Sequence, residues 1–138
     1  MHVVVVDTNI IVSTLIGKSY PYLITRELIL KKRVVCLLTT EILDEYNKVI
    51  FYKKFEAFPK FKSESEDLIE DIRVSAIKIK PEKRFKLLTD RDDNKFLDLA
   101  YAGNADFLIT GNSKHFPYRK FENTEIISPQ KYWTTYWK

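Results

Sequence analysis

Four consecutive β-branched residues, Val3 to Val6, run directly into Asp7-Thr8-Asn9, and this junction constrains the fold more than any other part of the chain. Valine is stiff at χ1 and favours extended backbone. A run with no polar alternation makes a strand that is apolar on both sides, so residues 2–6 need cover above and below. Asp, Thr and Asn are helix-capping residue types, and Ile10 to Ile16 reads as a short helix stopped at Gly17. A buried strand that passes straight into a helix opens a βαβ unit.

The rest of the chain repeats this alternation. Pro21 fits the first turn of a second helix that carries Leu23, Ile24, Leu28 and Ile29 at helical spacing. Val34 to Leu38 is a second apolar strand. Thr39 or Thr40 then caps a helix with Ile42, Leu43, Tyr46, Val49 and Ile50 on one face. The stretch from Phe51 to Phe61 is aromatic and lysine-rich and is broken by Pro59. It suits RNA stacking, a partner or dimer surface, or plain packing between two helices. Ser63 to Ser75 is an amphipathic helix with Leu68, Ile69 and Ile72 inward, and Ala76 to Ile79 is a short strand closed by Pro81. After a polar gap from Glu82 to Arg91, Asp92-Asp93 opens a helix with Phe96, Leu97, Ala100 and Tyr101 on its inner face, ending near Gly103. Phe107 to Ile109 and Glu125 to Ile127 are further strands, and Pro129 starts a final helical turn holding Trp133 and Trp137. Strands separated by helices predict one α/β domain over residues 1–138, with a mostly parallel central sheet covered on both faces.

Composition narrows the function classes. Hydrophobic residues make up 45% and charged residues 30%, the balance of a soluble globular chain rather than a disordered one. No apolar run approaches the roughly 20 residues of a membrane span, and no basic segment followed by an apolar stretch opens the chain. A single cysteine, Cys36, excludes an internal disulfide and a multi-cysteine zinc site. The expected location is therefore the cytoplasm. Neither glycine-rich phosphate motif occurs. The net charge of +4 permits a polyanionic partner without establishing one.

In open parallel sheets ligands sit beyond the carboxyl ends of the strands, and the chain delivers polar side chains there from several segments. The first strand ends at Asp7, the Phe107–Ile109 strand leads to Thr110 and Asn112, and the helix after the polar gap begins at Asp93. On a helical wheel of about 100° per residue, the apolar face of the helix after Thr40 centres on Tyr46. Of its acids, Glu45 lies closest to that face, while Asp44 points to solvent. Converging carboxylates repel and would take up protons unless a cation faces them. Hard oxygen ligands suit Mg²⁺ or Mn²⁺, which activates water and stabilises phosphoryl charge. Such a pocket in a basic protein suits cleavage of a nucleic-acid backbone.

The segment Val4-Val5-Val6-Asp7-Thr8-Asn9-Ile10-Ile11-Val12-Ser13 resembles the opening signature of PIN-domain ribonucleases. Thr40 to Tyr46 resembles their second motif, with the family carboxylate at Glu45. Asp92 to Ala100 resembles the third, with the metal-binding aspartate at Asp93. Ala105 to Asn112 resembles the fourth, with the family threonine at Thr110. The resemblance covers residues 3 to about 128 and is closest to VapC-type toxins of toxin–antitoxin pairs. It implies a three-layer α/β/α sandwich, a Mg²⁺- or Mn²⁺-dependent endoribonuclease, an RNA substrate, a cognate antitoxin and a homodimer. It also implies that Asp7, Glu45 and Asp93 hold the ion, that Asn112 and Thr110 position it or a water, and that Asn9 orients Asp7. Asn112 departs from the pattern, since many members carry aspartate there; an amide oxygen still coordinates a metal but brings no charge.

Plainer readings stand beside these. Asp7 also suits a helix cap, Asn9 a turn, Glu45 a solvated helix face, and Thr110 a strand end. Asp92 competes with Asp93 as the ligand. Asp98 reads as exposed or as a supporting residue, and Arg91, Lys95 and Lys114 as solvated charges unless they contact phosphate. His2 and His115 carry no motif. A catalytically inactive PIN-like module binding RNA or protein is the alternative that Asn112 favours. Haloacid-dehalogenase phosphatases need an aspartate where Asn9 stands, and receiver domains need an acidic pair after the first strand, so neither fits.

Overall fold

The computed structural model describes residues 1–49, 60–88, 93–112, 116 and 119–137, with Phe61 and Lys62 as backbone only. Residues 51–59, Arg91, Asp92, Lys114 and His115 lie outside the described residues.

Six strands form one sheet. They are β1 (Val3–Val6), β2 (Val35–Leu38), β3 (Ile77–Lys78), β4 (Phe107–Ile109), β5 (Lys120–Phe121) and β6 (Thr124–Ile127), in the order β3-β2-β1-β4-β6-β5. β1 pairs in parallel with β2 and β4, β2 with β3, and β4 with β6; among the described residues only the β5–β6 hairpin is antiparallel. The unalternated valines thus sit at the centre of the sheet, with Val4, Val5 and Val6 at most 1% exposed. The two-residue strand β5 has no apolar pattern to announce it. It exists because Glu122, at φ 53°, turns the chain back at the edge.

Helices α1 (Thr8–Ile16), α2 (Tyr20–Leu23), α3 (Thr40–Val49), α4 (Phe61–Ser75), α5 (Asn94–Ala102) and α6 (Pro129–Lys131) complete a three-layer α/β/α sandwich. α1 begins two residues earlier than its apolar pattern suggests and ends as expected, with the Gly17 N–H donating to Ser13 O. The second helix is not uniformly α-helical. From Ile24 to Ile29 it widens to a π-helical turn, where Leu30 N–H donates to Thr25 O five residues back. Thr39 rather than Thr40 caps α3, its hydroxyl accepting from Ile42 N–H at 3.0 Å. The chain after α6 is also π-helical over Tyr132–Trp137, and buried Tyr132 meets His2 Nδ1 at 2.7 Å. His2 is therefore part of the packing that seats this last segment on β1.

Residues 82–88 are largely exposed but fastened to α5. Asp98 is 3% exposed rather than solvent-facing. It accepts the Phe85 N–H at 2.7 Å and Arg84 Nη1 at 3.3 Å, while Asn94 Oδ1 accepts the Leu88 N–H at 3.0 Å. Tyr101, expected inward, is 43% exposed and offers its ring edge-to-face to Phe85 at 5.3 Å. Two polar side chains of α5 thus bind a segment that Phe85 and Leu88 also pack against the core. Among the described residues no helix is long and apolar enough to cross a membrane.

Asp98→Ala removes the acceptor of a partly buried backbone donor. It is expected to lower stability by about 1–3 kcal/mol, read as a lower urea midpoint, and to open residues 82–88 to limited proteolysis.

Candidate active site

The site is set by strand register. Val6 pairs with Ile109, so Asp7 and Thr110 come out side by side, one residue beyond the ends of β1 and β4. Asp7 N–H donates to Ile109 O at 3.0 Å, and Thr110 N–H donates to Ile127 O at 2.9 Å. The Thr110 hydroxyl accepts from Asn112 N–H at 3.0 Å and donates to Asp7 Oδ2 at 2.7 Å. Because the hydroxyl has one proton, the Asn112 N–H occupying an acceptor position aims that proton at Asp7.

Asp7 is 5% exposed. Burial pushes its carboxyl above the usual carboxylate range; the Thr110 hydroxyl and the Asn9 N–H oppose that, and Glu45 adds to it. As N-cap of α1, Asp7 closes no side-chain cap hydrogen bond, although the Asn9 and Thr8 N–H groups pull on its charge. Asn9 therefore acts on Asp7 through its backbone, and its own side chain is exposed.

Glu45 is half-buried on α3, with Asp44 exposed beside it as the helical wheel requires. Tyr46 fixes this helix against β1, its buried hydroxyl donating to Val6 O at 2.9 Å. The Thr8 hydroxyl donates to Glu45 Oε2, and Lys95 Nζ sits 2.5 Å from Oε1. Lys95 is 9% exposed and so is not the solvated charge expected of it. Thr8 and Lys95 are the site residues that motif reading passed over. The signal for Lys95 was its position on α5, where Asp98 and Leu99 lie three and four residues on and share its face. Asp93 is the N-cap of α5, two residues before Lys95.

Asp7 and Glu45 thus form an acidic pair with a lysine beside it. Among the described residues, no three histidine, cysteine, aspartate or glutamate side chains are grouped so as to hold one metal ion. Cys36 offers no alternative nucleophile, because burial pushes its thiol up to about 12.

A parallel sheet whose central strand ends in a buried aspartate, flanked by Thr110 and a glutamate from α3, defines the class, and a family model described as PIN domain matches residues 3–114. The chain belongs to the PIN domain family. Among individual proteins it is similar to Uncharacterized protein MJ1680 of Methanocaldococcus jannaschii, 28% identical over 109 residues, which are 79% of this chain and 70% of that one. Its fold is similar to a chain in the crystal structure of VapBC2 from Rickettsia felis bound to a DNA fragment from their promoter. That match has a TM-score of 0.60 and 17% identity, covering 91% of this chain and 98% of the other.

Folded Asp7 takes up its proton at a higher pH than the unfolded chain does. Between those two pH values the native state holds the extra proton, so stability falls as pH rises through the window just above the usual carboxylate range. Above that window the full penalty is present. In chelator, Asp7→Asn is expected to raise the urea midpoint at pH 7 and to flatten its dependence on pH between 4 and 7. An unchanged slope would assign the dependence to other groups.

Proposed function

We propose that this protein is a metal-dependent endoribonuclease that hydrolyses RNA phosphodiesters and serves as the toxin of a type II toxin–antitoxin pair. The observation that carries this reading is the buried Asp7 beside Glu45 at the carboxyl edge of a PIN-domain sheet. Two hard carboxylates from separate elements, one already driven toward its protonated form, are a donor set that a divalent cation relieves. That chemistry fits Mg²⁺ or Mn²⁺. Asp7 and Glu45 would hold the ion; Asp93, at the start of α5, is not grouped with them in this structure and would have to move in to join them, as would the Asn112 side-chain oxygen. When bound, the ion supplies an activated water and charge for the phosphoryl oxygens.

The chain's own residues do the rest. Thr110 keeps one Asp7 oxygen oriented, which leaves the other for the ion. The Asn9 N–H holds the carboxylate from the α1 side. Thr8 and Tyr46 fix the height of Glu45 relative to β1. The fold shared with a chain of a VapBC2 complex supports an antitoxin partner, the family resemblance adds a homodimer, and the composition and lone cysteine support a cytoplasmic location.

Asp7→Asn and Asp93→Asn are each expected to lower RNA cleavage in Mg²⁺ by at least about a hundredfold, the scale of losing a group that stabilises the transition state, while the fold is kept. Normal cleavage by either variant would remove that residue from the site. A second reading, a PIN domain that binds RNA or protein without cutting, is favoured by the Lys95–Glu45 ion pair and the uncharged Asn112. Calorimetric titration with Mn²⁺ separates the two. Binding in the wild type that is lost in Asp7→Asn supports the nuclease, and no heat up to millimolar Mn²⁺ supports the inactive module.

A further inference from the structure

A groove of about 1020 Å³ opens beside Glu45 and runs along the carboxyl ends of β2 and β3. One wall is α3, which contributes Lys48 together with the carboxylates of Glu41, Asp44 and Glu45. The other is the chain leaving β3, which contributes Lys78, Lys80 and Arg84, and Lys95 closes the end nearest Glu45. The sequence sets this row of charge by simple geometry. Lys78 pairs in register with Leu38, and Ile79 N–H donates to Leu38 O at 2.8 Å, so the chain stays extended past the strand end. Pro81 holds Lys80 in extended conformation as well. Lys78 and Lys80, two residues apart on extended chain, therefore lie on the same side.

The charges in the groove are not equivalent. Arg84 is bonded to Glu41 and Asp98, and Lys95 to Glu45. Lys48, Lys78 and Lys80 are exposed, and among the described residues none has an acidic group within ion-pair distance. Among the described lining residues none is aromatic, so these residues offer lysine point charges and no stacking platform for bases. Charges that track a backbone within a concave channel suit one polynucleotide strand. Contact with phosphate alone carries no sequence information.

We infer that this groove binds the phosphates of single-stranded RNA leading to or from the cleavage point, with Lys48, Lys78 and Lys80 as the contacts. The inference rests on the reading of the protein as a ribonuclease. It assigns the strand's path to the β2–β3 side of Asp7, away from the β4–β6 side. Sequence preference then arises elsewhere than in this groove.

The test uses the full chain carrying Asp7→Asn, so that RNA stays intact, and a fluorescein-labelled single-stranded RNA of mixed sequence. Anisotropy is followed against salt. In this background Lys48→Gln, Lys78→Gln and Lys80→Gln together remove three cations from the groove. A control variant, Lys31→Gln, Lys32→Gln and Arg33→Gln, removes the same charge from the loop before β2, at the amino end of the strand and so at the opposite end from the groove. Each phosphate contact on a single strand contributes a slope of about 0.7 in log K against log salt. The groove variant is expected to lose about 2 from that slope and to bind at least about tenfold more weakly at low salt, with the control variant close to the parent. Equal affinity and slope in the groove variant and parent would overturn the groove while leaving the cleavage tests untouched. An equal loss in the control would also overturn it, since net charge alone would then explain binding. Failure of the parent to bind RNA at low salt would overturn the ribonuclease reading and the groove with it.

Discussion

The hydrogen bond from the Thr110 hydroxyl to Asp7 is the interaction on which the site depends, and it exists only because β1 and β4 pair in parallel with Val6 opposite Ile109. In a parallel sheet a slip of one residue turns every side chain to the other face. The two polar residues that leave the strands would then separate. A run of valines is alike on both faces and does not forbid that slip by itself; the polar groups at the strand ends do, because the Thr110–Asp7 bond and the Asp7 N–H bond to Ile109 O form in this register. The register places a carboxylate where a carboxylate is costly. Burial and the neighbouring Glu45 both raise that cost, and Thr110 with the backbone N–H groups at the start of α1 reduces it.

Lys95 answers the second half of the charge problem. Glu45 is held from one side by the Thr8 hydroxyl at the first residue of α1 and from the other by an ammonium near the first turn of α5. Three elements that never pair in the sheet are thereby joined through one side chain. A half-buried ion pair of this kind contributes little net stability, because desolvation offsets much of the attraction. Its effect is positional: α1, α3 and α5 share one reference point beside Asp7. The local charge is then less negative than a count of carboxylates suggests.

Most of the sheet was legible because its signals were local. The valine run, the Asp-Thr-Asn ending, and the apolar strands at 35–38 and 107–109 each needed only neighbouring residues to be read. The helical wheel alone separated half-buried Glu45 from exposed Asp44. The parts that were not legible depend on partners distant in the chain. Asp98 looks like a surface aspartate until Phe85 N–H and Arg84 are brought to it, and the polar run 82–88 looks solvated for the same reason. Lys95 is buried only because Glu45, fifty positions earlier, meets it. The hairpin strand β5 rests on a turn at Glu122, a residue type with no preference for positive φ. Motifs located Asp7, Glu45, Thr110 and Asn112; the hydrogen bonds that orient them came from packing.

The same helix links the site to the groove beside it. α5 carries Asp93 and Lys95 at its start, and further along its length Asp98 holds the Phe85 N–H and Arg84. The segment from Lys80 to Arg84 is thus anchored at its far end to the element that presents Lys95 to Glu45, and at its near end to β2 through Ile79. Both ends are fixed to rigid elements, so the lysines of this segment keep their distance from the acidic pair although the segment itself has no regular structure. An irregular chain carrying cations beside an acidic pair would ordinarily lose its alignment through entropy. Here two backbone hydrogen bonds to buried or sheet-borne acceptors remove that freedom. Lys80 and Arg84 can therefore line the groove, because side chains of α5, together with Ile79, Phe85 and Leu88 packed on the core, hold the segment in place.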